Sequence, residues 1–300
     1  MMNPTILSCG EALWDLFPEG ALFGGAPANV ACHAAILGGE VSLLSAVGND
    51  ARGDKAIAIL QGFGVDTSLV QRIGDAHTGS VGVSVDAAGK PSFEIHADSA
   101  WDRIAWTNEL ASHVAEAEAV YFGTLGQRGE MSRGTIRRIL SAAKLRHIAR
   151  VLDVNLRRPF YDAALIRESI AQASVLKLSD DELAEVASVC AIPLHSKAEV
   201  TLRVILTRFK LDLVVMTRGA EGALLVSADD VVHQPGIPAV VRDTVGAGDA
   251  FMAAFVIGLL RGEASDKTLW KACKIASAVC SHKGAVPNPT APSPQPDLVK

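Results

Sequence analysis

The sequence predicts an α/β fold, a mostly parallel twisted sheet with helices on both faces. Three observations carry this. Apolar runs of strand length recur at Thr5–Cys9, Val41–Val47, Ala119–Phe122, Arg150–Val154, Val175–Leu178 and Leu213–Thr217. Segments with helical apolar spacing separate them, and that alternation is the pattern of parallel strands joined by crossover helices. The chain has 300 residues, 49% of them hydrophobic; such a length buries about 75% of its unfolded surface, enough for three layers.

The elements follow in order. Thr5–Cys9 ends at Gly10 and suits a buried strand. Gly24 and Gly25 lead into an alanine-rich helix, Ala28–Leu37, closed by Gly38 and Gly39, as glycine closes helices. Strand Val41–Val47 and helix Lys55–Phe63, stopped by Gly64, come next. From Ser80 to Ala97 the period switches to two: Val81, Val83 and Val85 alternate with small or polar residues, Ala87–Pro91 turns, and Phe93, Ile95 and Ala97 alternate back. That is a hairpin with one apolar face. Two helices, Asp243–Gly262 and Ser265–Ser281, close the fold; the second carries Leu269, Cys273, Ala276 and Cys280 on one face. Five prolines between Pro287 and Pro296 predict an extended tail over 287–300. No repeat and no long linker interrupts the chain, so one domain is expected over 1–300.

Composition narrows the function. A net charge of −5 without a long basic stretch argues against nucleic acid or an anionic membrane as partner. Five cysteines form no Cys-x-x-Cys pair and read as buried reduced thiols. No Lys or Arg precedes Arg52 and no apolar run approaches the ~20 residues of a membrane span, so a cytoplasmic protein is expected. The dinucleotide fingerprint fails because Phe251 stands where a third glycine would, and the P-loop fails at Gly89-Lys90-Pro91. There is no His-Glu-x-x-His helix, no Gly-x-Ser-x-Gly elbow, and no metal-ligand spacing among the eight histidines.

The richest segment is Asp243-Thr-Val-Gly-Ala-Gly-Asp249-Ala-Phe-Met-Ala-Ala-Phe255. Two glycines sit ahead of an acid that opens a buried helix. Such a turn leaves the N–H groups of Val245 to Gly248 without intrahelical partners, and the helix dipole makes the spot attractive to phosphate. A carboxylate at Asp249 would only repel phosphate held at rest, but it would deprotonate a hydroxyl attacking that phosphate. The segment reads as a phosphotransferase site; a plain helix cap is the alternative.

This stretch resembles the signature of the ribokinase-like carbohydrate kinases, with Val245 where a second threonine is commoner. The likeness runs along most of the chain: Gly10-Glu-Ala-Leu-Trp-Asp15 resembles the family's first-strand end, and Gly24-Gly-Ala-Pro-Ala-Asn29-Val-Ala31 its sugar-binding turn and helix. Asp153-x-Asn155-Leu-Arg157, Leu176-Lys-Leu-Ser-Asp-Asp-Glu182 and Ala100-Trp-Asp102 resemble most its fructokinase branch. The resemblance implies a ribokinase-like three-layer fold with a small β lid from segments about 12–24 and 78–100. It implies sugar binding by Asp15, Gly25, Asn29 and Arg157, residue types that also suit a hydroxyl-rich ligand. Lys177, Thr217, Gly219, Gly222 and Gly248 are implied at the nucleotide, Glu182 at Mg²⁺ through water, and Asp243 at K⁺. Ser179 replaces the asparagine of the family's Asn-x-x-Glu pattern, and Ser179-x-x-Glu182 is equally a helix capping box. Arg157 would suit a substrate anion or a pair with Asp162.

Only eight residues, Leu16 to Phe23, separate Asp15 from Gly24, so the lid is expected to come mainly from Ser80–Ala97. Its apolar face then needs substrate, the protein body or a second subunit, and a homodimer through the lid is one expectation. The implied activity is transfer of the ATP γ-phosphoryl to a small sugar, fructose to fructose 6-phosphate first. The base would be Asp249, with the N–H groups of Gly246, Ala247 and Gly248 around the transferred group. Alternatives are 2-keto-3-deoxygluconate, ribose or a nucleoside as acceptor, or a sugar-sensing regulator without chemistry.

Overall fold

The computed structural model describes residues 3–85 and 91–287. In chain order the strands are β1 (Thr5–Cys9), β2 (Leu13–Phe17), β3 (Gly20–Gly24), β4 (Glu40–Gly48), β5 (Val70–Ile73), β6 (Gly79–Val85), β7 (Pro91–Ile95), β8 (Ala119–Gly123), β9 (Ala149–Asp153), β10 (Val175–Ser179), β11 (Leu213–Thr217), β12 (Ala223–Ser227) and β13 (Val231–Gln234). The helices are α1 (Ala26–Ile36), α2 (Ala51–Gly62), α3 (Glu109–Glu116), α4 (Glu130–Leu145), α5 (Ala163–Gln172), α6 (Asp180–Val189), α7 (Ala198–Phe209), α8 (Ala247–Leu260) and α9 (Ser265–Cys280).

Nine strands form the main sheet in the order β13-β12-β11-β10-β9-β8-β1-β4-β5. All neighbours are parallel except β11–β12 and β12–β13, an antiparallel edge. Period two explains why the central strands read as continuous apolar runs: both faces are covered. Leu7, Leu44, Phe122, Leu152 and Leu176 pack with α3 to α7 on one face. Their neighbours Ile6, Leu43, Tyr121, Val151 and Val175 pack with α1, α2, α8 and α9 on the other. Helix α8 is apolar all round, buried from Ala250 to Gly258, as a helix between layers must be. Among the described residues no helix is long and apolar enough to cross a membrane.

Two expectations need correction. The lid does not come mainly from Ser80–Ala97. Chain 13–24 folds as its own hairpin, β2 against β3 with Asp15 opposite Leu22, and β2 pairs with β6 to give a four-stranded sheet β3-β2-β6-β7. Eight residues suffice because the connection is two residues long, Pro18 and Glu19, the shortest common hairpin loop. Nor does the helix begin at Asp243: it starts at Ala247, because Asp243 spends both carboxylate oxygens on loop amides, Val245 at 3.0 Å and Gly284 at 2.9 Å. The Ala87–Pro91 turn and the 287–300 tail fall mostly outside the described residues, as do the side chains of Val85 and Phe93.

Candidate active site

Parallel order brings the carboxyl ends of β1, β8, β9, β10 and β11 to one edge of the sheet, where ligands bind in open α/β folds. The N-terminus of α8 stands at that edge. Gly246, the N-cap, has φ 78°, and a Cβ there would lie 2.5 Å from Ala285 Cα. Only glycine turns the chain this tightly. Of the amides expected to be free, Val245 donates to Asp243, and Ala247 reaches Thr244 O at a long 3.3 Å. Among the described residues, nothing accepts from the N–H groups of Gly246 or Gly248. The anion-attracting amides are thus chiefly Gly246 and Gly248, with Ala247 weakly engaged.

Asp249 sits in the first turn of α8, half-buried. Asn29, from α1, donates its amide to Asp249 Oδ2 at 2.8 Å. Burial pushes the Asp249 carboxyl above the usual range, against the pull of the Asn29 bond, Lys177, His33 and Arg157. The bond leaves Oδ1 as the oxygen able to take a proton.

Gly25 opens α1 at φ 105°, and a Cβ there would lie 2.5 Å from the Glu11 carbonyl oxygen. That close approach places Glu11 beside the start of α1. Glu11 is 3% exposed, and its Oε2 has no partner. Burial lifts its carboxyl to about 7, with Asp249 adding to the rise. Asp15, on β2 of the lid, is lifted to about 6 by burial, with Arg157 opposing and Asp249 and Asp243 adding. Arg157 is exposed and makes no side-chain hydrogen bond among the described residues, yet its charge is felt by Asp15, Glu11 and Asp249. Asp15, Gly25, Asn29, Arg157 and Asp249 therefore converge, and Glu11 joins them.

Lys177 and Asp153 face each other in the β9–β10 register, and Lys177 Nζ lies 3.1 Å from both carboxylate oxygens. Both are buried. Burial alone would lower the lysine, but Asp153, Glu182 and Asp249 outweigh it and its pKa is raised. Its Nζ is 3.5 Å from where a Cβ on Gly248 would stand, a charge beside the anion hole. Thr217 ends β11 and Gly219 borders open space, whereas Gly222 packs against the backbone of Gln234 to Gly236. That gives Gly222 a structural reason independent of any nucleotide.

Glu182 accepts from the Ser179 N–H at 2.8 Å and the Leu156 N–H at 2.7 Å. Among the described residues no cluster of three His, Cys, Asp or Glu could hold a metal ion. Glu11, Asp153 and His33 had no role assigned from sequence. His33 Nε2 lies 2.8 Å from Ala285 O, tying α1 to the loop under Gly246. The signal for Asp153 was present: an acid inside an otherwise buried strand run, one strand away from a lysine in the same situation.

A family model described as "pfkB family carbohydrate kinase" matches residues 21–291. An uncharacterized sugar kinase of Pyrococcus horikoshii is 32% identical over 293 residues, 92% of this chain and 88% of that one. Its structure in complex with ATP superposes with a TM-score of 0.77 over 93% of each chain. The fructokinase of Klebsiella pneumoniae is 31% identical over 268 residues, covering 86% and 85%. The aminoimidazole riboside kinase of Salmonella typhimurium is 30% identical over 272 residues, covering 87% and 82%.

Proposed function

This chain belongs to the pfkB family of carbohydrate kinases, and we propose that it transfers the γ-phosphoryl of ATP to the primary hydroxyl of a neutral sugar, fructose to fructose 6-phosphate. The observation that supports a neutral acceptor is a pair of orphaned acceptors. Asn29 Oδ1 and Glu11 Oε2 are buried without a donor from the chain, and buried polar atoms are normally paired. A polyol offers several O–H donors to such a corner. A sugar acid or sugar phosphate would bring a further negative charge to Glu11, Asp15 and Asp249, whose shared countercharge is Arg157. The rings of Trp14 and Phe23, on the face of the β2–β3 hairpin opposite Asp15, are buried edge to face against each other at 5.7 Å and take no part in the acceptor site.

In the proposed step the sugar O–H lies between Asp249 Oδ1 and the γ-phosphorus. Asp249 takes the proton as the new O–P bond forms, and the bond to the bridging oxygen breaks with its electron pair leaving on ADP. The Gly246 and Gly248 amides and the Lys177 ammonium bear on charge developing at the transferred group. Magnesium, bound to the nucleotide phosphates, would supply further charge neutralisation. The donor set suits that arrangement, since Glu182, with an amide on each oxygen, would meet the ion through water. Potassium at Asp243, a cytoplasmic location and pairing of two copies through the lid belong to the same proposal. Sodium-for-potassium exchange and sedimentation test the first and last.

The deciding experiment is coupled ADP release with fructose, ribose, 2-keto-3-deoxygluconate, fructose 6-phosphate and aminoimidazole riboside as acceptors. Fructose should give the highest kcat/KM and yield the 6-phosphate. Preference for an acidic or phosphorylated acceptor would overturn the neutral-sugar reading, and no ADP release with any of them would favour a sensor.

A further inference from the structure

We propose that His33 is a positioning residue for phosphoryl transfer: its imidazole holds the Ala285 carbonyl against Gly246 and thereby fixes the turn whose amides face the transferred group. This role rests on the kinase reading above, in which the Gly246 and Gly248 N–H groups bear on that group.

Helix α1 is apolar except for two side chains, Asn29 and His33, both buried. They stand four residues apart, one turn along the same face. A buried polar group needs a partner, and both find theirs beside the start of α8. Asn29 donates to Asp249 Oδ2 at 2.8 Å. His33 Nε2 lies 2.8 Å from Ala285 O, and since a carbonyl only accepts, Nε2 carries the hydrogen. Burial holds the imidazole below the ordinary histidine range, so at neutral pH the donor is the neutral ring.

The carbonyl that His33 grips is the one that meets the turn. A Cβ on Gly246 would lie 2.5 Å from Ala285 Cα and 2.6 Å from Ala285 O, so this peptide is pressed against the N-cap of α8. The turn has few other ties. Among the described residues nothing accepts from the N–H groups of Gly246 and Gly248, and Ala247 reaches Thr244 O only at 3.3 Å. Free amides are what an anion requires, and they leave the turn to be held by what packs beneath it. Beneath it, the Gly284 N–H is moored on Asp243 Oδ2 at 2.9 Å, and the next residue is moored on His33. Helix α1 is itself fixed to the sheet, where the Ser8 hydroxyl of β1 donates to Pro27 O at 2.8 Å. His33 thus completes a line of bonded contacts from β1 to the phosphate turn.

Reach separates the replacements. A glutamine places its amide nitrogen about as far from the backbone as imidazole Nε2, so it can donate to the same carbonyl. An asparagine places its nitrogen where Nδ1 stands and falls short. Phenylalanine keeps a ring of similar size and has no donor.

The test compares wild type, His33→Gln, His33→Asn and His33→Phe with ATP and the acceptor selected by the ADP-release screen, well below every unfolding midpoint. His33→Asn and His33→Phe should lower kcat about tenfold or more, as displacement of an anion hole does, with both KM values changed less than about threefold. His33→Gln should keep kcat within about threefold of wild type, because it restores the donor. A loss that His33→Gln shares, or a defect confined to the KM of the acceptor, would overturn the proposal. So would a lowered unfolding midpoint with kcat intact, or failure of both donor-less variants to fold, since His33 would then be structural only. Should no acceptor release ADP from wild type, the kinase reading fails separately. Amide exchange then decides at Gly284 and at Ala250, whose N–H bonds Gly246 O at 2.9 Å. Exchange about tenfold faster in His33→Asn than in His33→Gln supports the brace, and equal exchange removes it.

Discussion

Asn29 and Asp249 lie 220 positions apart in sequence and meet at 2.8 Å, amide nitrogen to carboxylate Oδ2. The contact joins α1 to α8, helices that open beside each other at the carboxyl edge of the sheet. It fixes which oxygen of Asp249 is free, and it lowers a carboxyl that burial raises. Replacing Asn29 with Ala should therefore reduce kcat about tenfold or more and move the acid limb of the kcat/KM profile to higher pH. The sign follows from the removed bond, since without it Asp249 holds its proton more tightly and must be deprotonated at higher pH before it can act. An acid limb at the wild-type position would show that the bond does not tune the base.

Asp249→Asn tests the base itself. The amide is isosteric and can still meet Asn29 after a flip, so folding and ATP binding should persist. Turnover should fall at least a hundredfold, the usual weight of a positioned general base. Calorimetric titration of ATP alongside the ADP-release assay separates lost chemistry from lost binding, and near-normal turnover would remove Asp249 from the role.

Much of this site was legible because it lies in local sequence. The Gly246–Asp249 turn, the Gly24–Gly25 entry to α1 and the capping pattern at Glu182 are each short runs whose spacing states their geometry. What escaped depends on register and distance. Asp153 and Lys177 pair because β9 and β10 are adjacent and aligned, which no single strand reveals. The short β2–β3 hairpin escaped because Leu13 to Phe23 mixes two acids, one proline and several large apolar residues without clean alternation, and its partner strand β6 lies more than 60 residues on. Glu11 was visible as a letter of a motif, but its burial is created by Gly25, whose missing side chain lets α1 approach.

The Lys177–Asp153 pair yields a stability prediction. Both partners are buried with two 3.1 Å contacts. Removing one leaves the other charge without compensation, which costs about 3–5 kcal/mol. Lys177→Met should lower the denaturation midpoint by that order and slow turnover, whereas Lys177→Met combined with Asp153→Leu should recover most of the stability and none of the activity. Recovery of neither would mean that the pair's cost lies in packing and not in charge.

Glu11 gives the pH dependence of folding. Its carboxyl is lifted from 4.5 to about 7 by burial first, then by Asp249, so the folded chain holds this proton more tightly than the unfolded chain. The associated stability is fully present below about pH 4.5, and is lost as pH rises toward about 7. Over that window the loss is on the order of 3 kcal/mol, at 1.36 kcal/mol per pH unit. Glu11→Gln has no proton to lose. At pH 4 the variant and wild type should unfold at nearly the same urea concentration; at pH 8 the variant should be the more stable, by up to about 3 kcal/mol. Equal stability at both values would mean that Glu11 ionises without penalty, through a donor that reaches Oε2 in solution.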